Sequence, residues 1–379
     1  MKHAAPDKKL HIAMFGHKRI PSREGGVEVV AEELAARMAA KGHSVTCYNR
    51  GGYNAAGAEF DGEKVREYKG VHIREVLTVS GRGLAAVSAS FSAALCAAFG
   101  RYDVVHIHAE GPAFLCWLPK LFGKRVVVTV HGLDHQRAKW GRFASAYIML
   151  GEKNAVRYAD EIIVLSRGVQ QYFKDTYHRE TRLIPSGVSR PEKRPAALIT
   201  GQWGLTQGSY ILYLGRLVPE KGERYLIEAF RQVKTDKKLA IAGGSSDTEA
   251  FAAELKELAQ GDGRILFTGF VQGQALEELY SNAYLYCLPS DLEGMPLSLL
   301  EAMSYGSCCL TSDLPECAEV VEDHAVTFRK GDVEDLRSKL QQLCDAPETV
   351  QKYRAGAAEF ILGKYNWDDV TEQTLRCYR

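Results

Sequence analysis

One alternation limits what this chain can fold into more than anything else in it. Short runs rich in Val and Ile are separated by longer helical patterns along the whole sequence. In the first half the runs are HIAMFG, SVTCYN, DVVHIH, RVVVTVHG and EIIVLS; in the second they are YILYLGR, KLAIAGG, RILFTGF, YLYCLPS and SCCLTSD. A strand with one wet face alternates polar and apolar residues, and these runs do not. Continuous apolar strands joined through helices predict α/β architecture, with parallel sheets covered on both faces. A chain of 379 residues exceeds one ordinary core. The two series therefore predict two Rossmann-like domains.

The break falls in PSGVSRPEKRPAALITGQ (185–202), where prolines, glycines and charges interrupt the pattern. We place the boundary at about residue 190, giving domains at 1–190 and 191–362. The remainder, 363–379, contains YNWDDVTEQTLRCYR, a helix opened by Asn366 or Asp368 with Trp367 as a packing anchor.

Composition narrows the function classes. Hydrophobic residues at 46% and charged residues at 25% describe a soluble globular protein. A net charge of +1 argues against nucleic-acid binding through bulk charge. MKHAAPDKK runs straight into strand-like LHIAMFG and does not resemble a signal peptide. LAAVSASFSAALCAAF (84–99) is short for a membrane span and rich in Ser and Ala, so a packed helix is expected. Nine scattered cysteines without a CxxC pair suit reduced thiols in a cytoplasmic protein.

Ligands of open parallel sheets collect at the carboxyl ends of strands, and four stretches there carry chemistry. The long loop before Gly25 and Gly26 opens a helix whose bare amides suit a phosphate, although a flexible strand-to-helix turn fits equally. Strand RVVVTV ends at His131, followed by Asp134, and both can reach a substrate hydroxyl. His106 and His108 read as sheet residues. Arg137, Lys139, Trp140 and Arg142 form either a solvated basic face or a contact for an anionic acceptor or membrane headgroup. Arg216 follows a strand and Lys221 precedes a helix, so the two cations can converge on a diphosphate. In DLEGMPLSLLEAM, Glu293 sits before a helix start near Leu297 and Glu301 sits inside that helix. The Gly-Met-Pro-Leu-Ser amides between them, including Met295, Leu297 and Ser298, offer a second phosphate cradle.

GGVE, VTVHG, LGRLVPEKG, FTGFV and SDLEGMPLSLLEAM, in this order, resemble the retaining nucleotide-sugar-dependent glycosyltransferases of the GT-B fold that carry an E-x7-E motif (glycosyltransferase family 4 type). SDLPE departs from that family, which has a longer glycine-containing segment before the Pro-Glu. The resemblance implies two Rossmann-like domains facing across a cleft, an acceptor-binding domain first and a nucleotide-sugar domain second, and a last helix crossing back to the first domain. It implies that Arg216 and Lys221 hold the donor diphosphate with amides around Gly26 and Leu297. Glu301 would bind the ribose, Glu293 the donor sugar, and His131 the transferred sugar near the reacting centre. Thr268 to Val271, with Phe270, would frame the base beside Gly243 and Gly244. Asp134, Arg137 and Lys139 are the acceptor-side expectations.

HGLDHQRAKWGRFASAYIMLGEKNAVRYADEIIVLS most resembles bacterial transferases that build capsule or exopolysaccharide repeats, a subgroup that includes rhamnosyltransferases using dTDP-rhamnose. The partners this implies are a nucleotide sugar and a glycan or lipid-diphosphate-linked acceptor, with peripheral inner-membrane association and no nucleic acid. The sequence contains no DxD, so no metal or other cofactor is expected, Arg216 and Lys221 standing in for the cation. Retention is compatible with double displacement through a carboxylate; the resemblance instead implies same-face attack with the leaving phosphate as base. Three rivals remain: a nucleotide-sugar epimerase of the same overall fold, a nicotinamide dehydrogenase (which lacks its GxGxxG here) and a non-catalytic partner subunit.

Overall fold

Each continuous apolar run becomes a parallel strand, because a strand buried on both faces needs helices on both sides and crossovers between neighbours. The computed structural model describes residues 9–52, 65–81, 83–136, 141–245 and 248–379. The chain divides into two units, Met1–Pro185 with Trp367–Arg379, and Ser186–Asn366.

In the first unit the strands are β1 (His11–Phe15), β2 (Ser44–Arg50), β3 (Glu67–Tyr68), β4 (Val71–Val76), β5 (Val104–His108), β6 (Arg125–Val130), β7 (Glu161–Val164) and β8 (Arg182–Leu183). Their order in the sheet is β3-β4-β2-β1-β5-β6-β7-β8. Among the described residues of this unit only the β3–β4 pair is antiparallel. β5 is buried at every position, as its unbroken VVHIH run requires. β4 is different: VHIREV shows a mixed buried and exposed pattern near the sheet edge, which hid it among the continuous runs. The serine- and alanine-rich segment is the helix Leu84–Phe99, packed through Ala89, Ala93, Ala94 and Ala97. No helix among the described residues is long and apolar enough to cross a membrane.

The second unit holds β9 (Tyr210–Leu214), β10 (Lys238–Ala242), β11 (Ile265–Gly269), β12 (Leu285–Leu288), β13 (Cys309–Ser312) and β14 (Val326–Phe328), in the order β11-β10-β9-β12-β13-β14. All five neighbouring pairs are parallel. Its core combines the strand interiors with Leu226, Phe230, Leu279, Leu299 and Leu336 from the covering helices.

Both sheets reverse winding direction once, between β1 and β5 and between β9 and β12. Chain segments leaving the two central strands then diverge and open a crevice at their carboxyl ends. Gly16 and Glu110 follow the first pair of strands, and Arg216 and Glu293 follow the second.

The last helix, Trp367–Cys377, clusters with the first unit and begins at the buried Trp367. Asp368 pairs with Arg37 at 2.9 Å and Glu372 with Lys41 at 2.6 Å. The Tyr378 hydroxyl reaches His106 Nδ1 at 2.6 Å, inside β5.

Candidate active site

In the second unit, β9 is followed by Gly215-Arg216, and a short turn Pro219–Lys221 leads into the helix Glu223–Phe230. The turn is locked from below. Glu223 Oε1 accepts from the Tyr213 hydroxyl at 2.7 Å and from the Val218 N–H at 3.3 Å. Burial raises that carboxyl to about 8. Gly222 has φ +72, and a Cβ there would stand 2.0 Å from the carbonyl oxygen of Pro289. That close approach brings the Lys221 turn against the end of β12. The Asp291 N–H closes the contact by donating to the Glu220 carbonyl at 2.9 Å.

This packing delivers Lys221 to Glu293. Lys221 Nζ lies 2.5 Å from Glu293 Oε1, with both side chains largely buried. Ser290 Oγ donates to the same carboxylate oxygen at 2.7 Å, and Ser312 Oγ donates to the Ser290 carbonyl at 2.6 Å. Glu293 is thus held by a cation and by the hydroxyl of a residue whose backbone carbonyl is bonded from β13. The Arg216 guanidinium, by contrast, makes no hydrogen bond or ion pair among the described residues.

Glu301 lies one turn into the helix Leu297–Ser304 and accepts from the Tyr280 hydroxyl at 3.0 Å. The Leu297 N–H bonds the Met295 carbonyl at 3.0 Å, so that amide is already used. Ser298 Oγ accepts from the buried Tyr286 at 2.7 Å. Gly243 has φ +155 and its N–H donates to the Gly269 carbonyl at 2.9 Å. A Cβ on Gly244 would lie 3.5 Å from the Phe270 Cβ, so the loops after β10 and β11 come together with Val271 just beyond.

One acid here escaped sequence reasoning. Glu316 opens the helix Pro315–Val321, and its carboxyl is raised by burial and then by the charge of Glu293. The Pro-Glu after a strand end was its only signal.

In the first unit, His131 follows β6 and is 9% exposed. Its Nε2 lies 3.1 Å from His108 Nδ1, and His108 stacks on His106 at 4.3 Å between ring centres. His106 and His108 are sheet residues of β5. Burial lowers His106 to about 3 and His17 to about 4, and pushes His108 well below the usual range. A neutral His108 ring therefore backs His131, and one of the two donates to the other.

Gly25 caps the helix Gly26–Ala40 in extended backbone. The buried Glu28 of its first turn accepts the Lys18 N–H at 2.8 Å, and a Cβ on Gly25 would lie 2.7 Å from Glu28 Oε2. An anion at this helix start would have that acid as a neighbour. Asp134 opens a short turn, Asp134–Gln136, and its N–H donates to Glu110 Oε2 at 2.8 Å. Arg142 is exposed at the start of the helix Arg142–Tyr158. Arg137, Lys139 and Trp140 lie outside the described residues.

Residues 24–190 match the family model described as Glycosyltransferase Family 4, and residues 200–360 match that described as Glycosyl transferases group 1. An alpha-maltose-1-phosphate synthase of Mycolicibacterium smegmatis is 25% identical over 303 residues, covering 73% of this chain and 78% of that protein. Among solved structures, a sucrose-phosphate synthase from Thermosynechococcus elongatus superimposes with a TM-score of 0.83 at 20% identity, over 98% of each chain. Anabaena HepE in complex with UDP-glucose superimposes with a TM-score of 0.80 at 16% identity, over 96% of this chain and 98% of that one.

Proposed function

This chain is a glycosyltransferase of the group 1 and family 4 type with the GT-B fold, and on that premise we propose that it retains anomeric configuration while moving a sugar from a nucleoside-diphosphate donor to a glycan or lipid-linked acceptor. The observation that carries the proposal is the largely buried Lys221–Glu293 pair at the β9/β12 reversal, with Arg216, whose guanidinium has no partner among the described residues, following β9. Fixed cations there suit a diphosphate leaving group, because charge that develops in the transition state meets dipoles and cations already in place.

In the proposed reaction the anomeric C–O bond to the β-phosphate breaks and a new C–O bond to the acceptor forms on the same face. The acceptor hydroxyl proton passes to an oxygen of the departing phosphate. Arg216 and Lys221 stabilise the diphosphate without a catalytic metal. Glu293 orients the sugar, Glu301 binds the ribose, and Phe270 and Val271 frame the base beside Gly243 and Gly244. Met295 and the amides near Ser298 complete the phosphate side. His131 contacts the transferred sugar, and Asp134, Arg137 and Lys139 serve the acceptor. The solved structure of HepE with UDP-glucose supports this class of donor.

For the biological substrate we propose a bacterial capsule or exopolysaccharide repeat, with dTDP-rhamnose as the first donor to test. A lipid-linked acceptor is supported by the exposed Arg142 and by Phe143, which is 95% exposed beside it. An epimerase is not favoured, since both family models that match are of transferases. A thermal-shift panel of nucleoside diphosphate sugars tests the reading: a donor that binds the native state raises Tm. A panel that includes UDP-, GDP-, ADP- and dTDP-sugars and moves Tm nowhere overturns it.

A further inference from the structure

A second cluster lies in the first unit, apart from the Lys221 and Glu293 pair of the second. Glu110 follows β5, His135 belongs to the turn after β6, and Glu152 lies in the middle of the helix Arg142–Tyr158. One ligand atom from each lies within 4.8 Å of the other two. Both glutamates are fully buried.

Three groups fix the outer sides of this cluster. Glu152 Oε1 accepts from the Tyr172 hydroxyl at 2.9 Å and also from the Tyr177 hydroxyl. Glu110 Oε2 accepts from the Asp134 N–H at 2.8 Å. That leaves Glu110 Oε1, Glu152 Oε2 and His135 Nδ1 without a hydrogen bond, all three buried and turned toward one another. The close packing is built into the backbone: a Cβ on Gly151 would lie 1.9 Å from the Glu110 carbonyl oxygen, so only glycine lets the two segments meet.

Two carboxylates this close in an apolar interior repel each other, and burial and then Glu152 push the Glu110 carboxyl well above its usual range. Something positive must lie between them. A proton shared by the two carboxyls satisfies those two atoms, and a His135 Nδ1–H would then face Glu152 Oε2 at 3.5 Å, which is long for a hydrogen bond. A dication satisfies all three. Two ligands about 2.1 Å from a tetrahedral metal stand about 3.4 Å apart, and Glu152 Oε2 and His135 Nδ1 are 3.5 Å apart.

We propose that Glu110, His135 and Glu152 bind one transition-metal dication of the zinc or manganese class. One imidazole with two carboxylates suits those ions better than magnesium or calcium, which favour oxygen-only shells. The two tyrosines supply the outer hydrogen bonds that orient a metal-bound carboxylate. The ion ties the turn that carries Asp134 to the helix Arg142–Tyr158, and His135, with 15% of its side chain exposed, is the side on which metal enters. This site is structural and separate from the metal-free diphosphate chemistry proposed above.

The test uses the full chain without nucleotide. Protein stripped with a chelator is titrated with Co(II), read by its visible absorption, and with Zn(II), read by Tm and by elemental analysis after dialysis. About one equivalent bound, a higher Tm, and affinity reduced about tenfold or more in His135→Asn and Glu110→Gln are expected. His135 lies at the edge of the cluster, so His135→Asn keeps the test sound if Glu110→Gln fails to fold. Absence of Co(II) absorption together with an unchanged Tm in Zn(II) overturns the proposal, and so does uptake that both variants leave intact. Activity does not enter either readout, so a failure here is distinct from a failure of the transferase reading.

Discussion

Lys221 and Glu293, 72 residues apart in the chain, meet at 2.5 Å at the carboxyl ends of β9 and β12. The pair exists because Gly222 lets one turn touch the Pro289 carbonyl and because Ser290 and Ser312 hold the acid from the other side. Its chemistry depends on both partners.

Arg216→Ala and Lys221→Ala are each expected to lower kcat/KM by about 10²–10³, the cost typical of removing one preorganised charge-stabilising donor. Lys221→Arg should rescue poorly, since a planar guanidinium cannot take the place of a compact ammonium against Glu293. Steady-state kinetics with the donor found by thermal shift, and no added metal, provide the check. Near-normal turnover in Arg216→Ala sinks the diphosphate assignment.

Tyr280→Phe removes one hydrogen bond from Glu301 and leaves the ring packing in place. A bond to a charged acceptor contributes about 1.5–3 kcal/mol, so nucleoside diphosphate should bind at least about tenfold more weakly while kcat changes little. Calorimetric titration measures the first and saturation kinetics the second. A drop in kcat at unchanged affinity would move Glu301 from the ribose to the reacting centre.

Gly222→Ala carries a double penalty. A left-handed φ costs a non-glycine residue about 1–3 kcal/mol, and the added Cβ meets the Pro289 carbonyl oxygen at 2.0 Å. Urea unfolding should show the loss, and activity should fall with it because the Lys221 turn has to move away from β12. A variant as stable and active as the parent would mean the two turns do not touch in solution.

His17 and His106 predict an acid-sensitive fold. Both are buried, and burial lowers them from 6.5 to about 4 and about 3. Below pH 6.5 the unfolded chain takes up protons that the folded chain refuses, so stability falls as pH drops toward 4. Each histidine contributes about 1.4 kcal/mol per pH unit in that window. Unfolding free energies measured from pH 7 to 5 should therefore slope downward, and His106→Gln should flatten the slope by about that amount. An unchanged slope in the variant would refute the buried neutral imidazole.

A charge-reversed Arg137, Lys139 and Arg142 variant addresses the acceptor. If a lipid-linked acceptor is met at a membrane surface, sedimentation with anionic liposomes should fall at least severalfold, and salt should weaken the parent's binding similarly. Equal sedimentation of parent and variant removes the basic segment from the acceptor side.

Much of this fold is written locally. Ten continuous apolar runs became ten parallel strands, since burial on both faces leaves an unmistakable mark on composition; of the ten, the edge strand β11 alone is half-exposed along its length. The four strands outside that pattern, β3, β4, β8 and β14, are short or patterned as sheet edges, so their sequences carry little signal. The same division holds at the site. Glu293, Glu301, Arg216 and Lys221 follow strands and stand out in the chain. Ser290, Ser312, Tyr280 and Tyr286, which hold them, are ordinary residues whose role depends on strand order. The Glu110–His135–Glu152 cluster draws on three separate elements, and no spacing rule would have linked them.

The closing helix has a consequence for how the molecule is made. His106 in the centre of the first sheet receives its Tyr378 partner, and Arg37 and Lys41 receive theirs, from Trp367–Arg379. During synthesis those residues leave the ribosome only after all of Ser186–Asn366 has been translated. The first unit must wait until the whole of the second has been translated before its central histidine is capped, so a ribosome that stalls before Tyr378 leaves behind a chain in which the second unit is whole and the first is not.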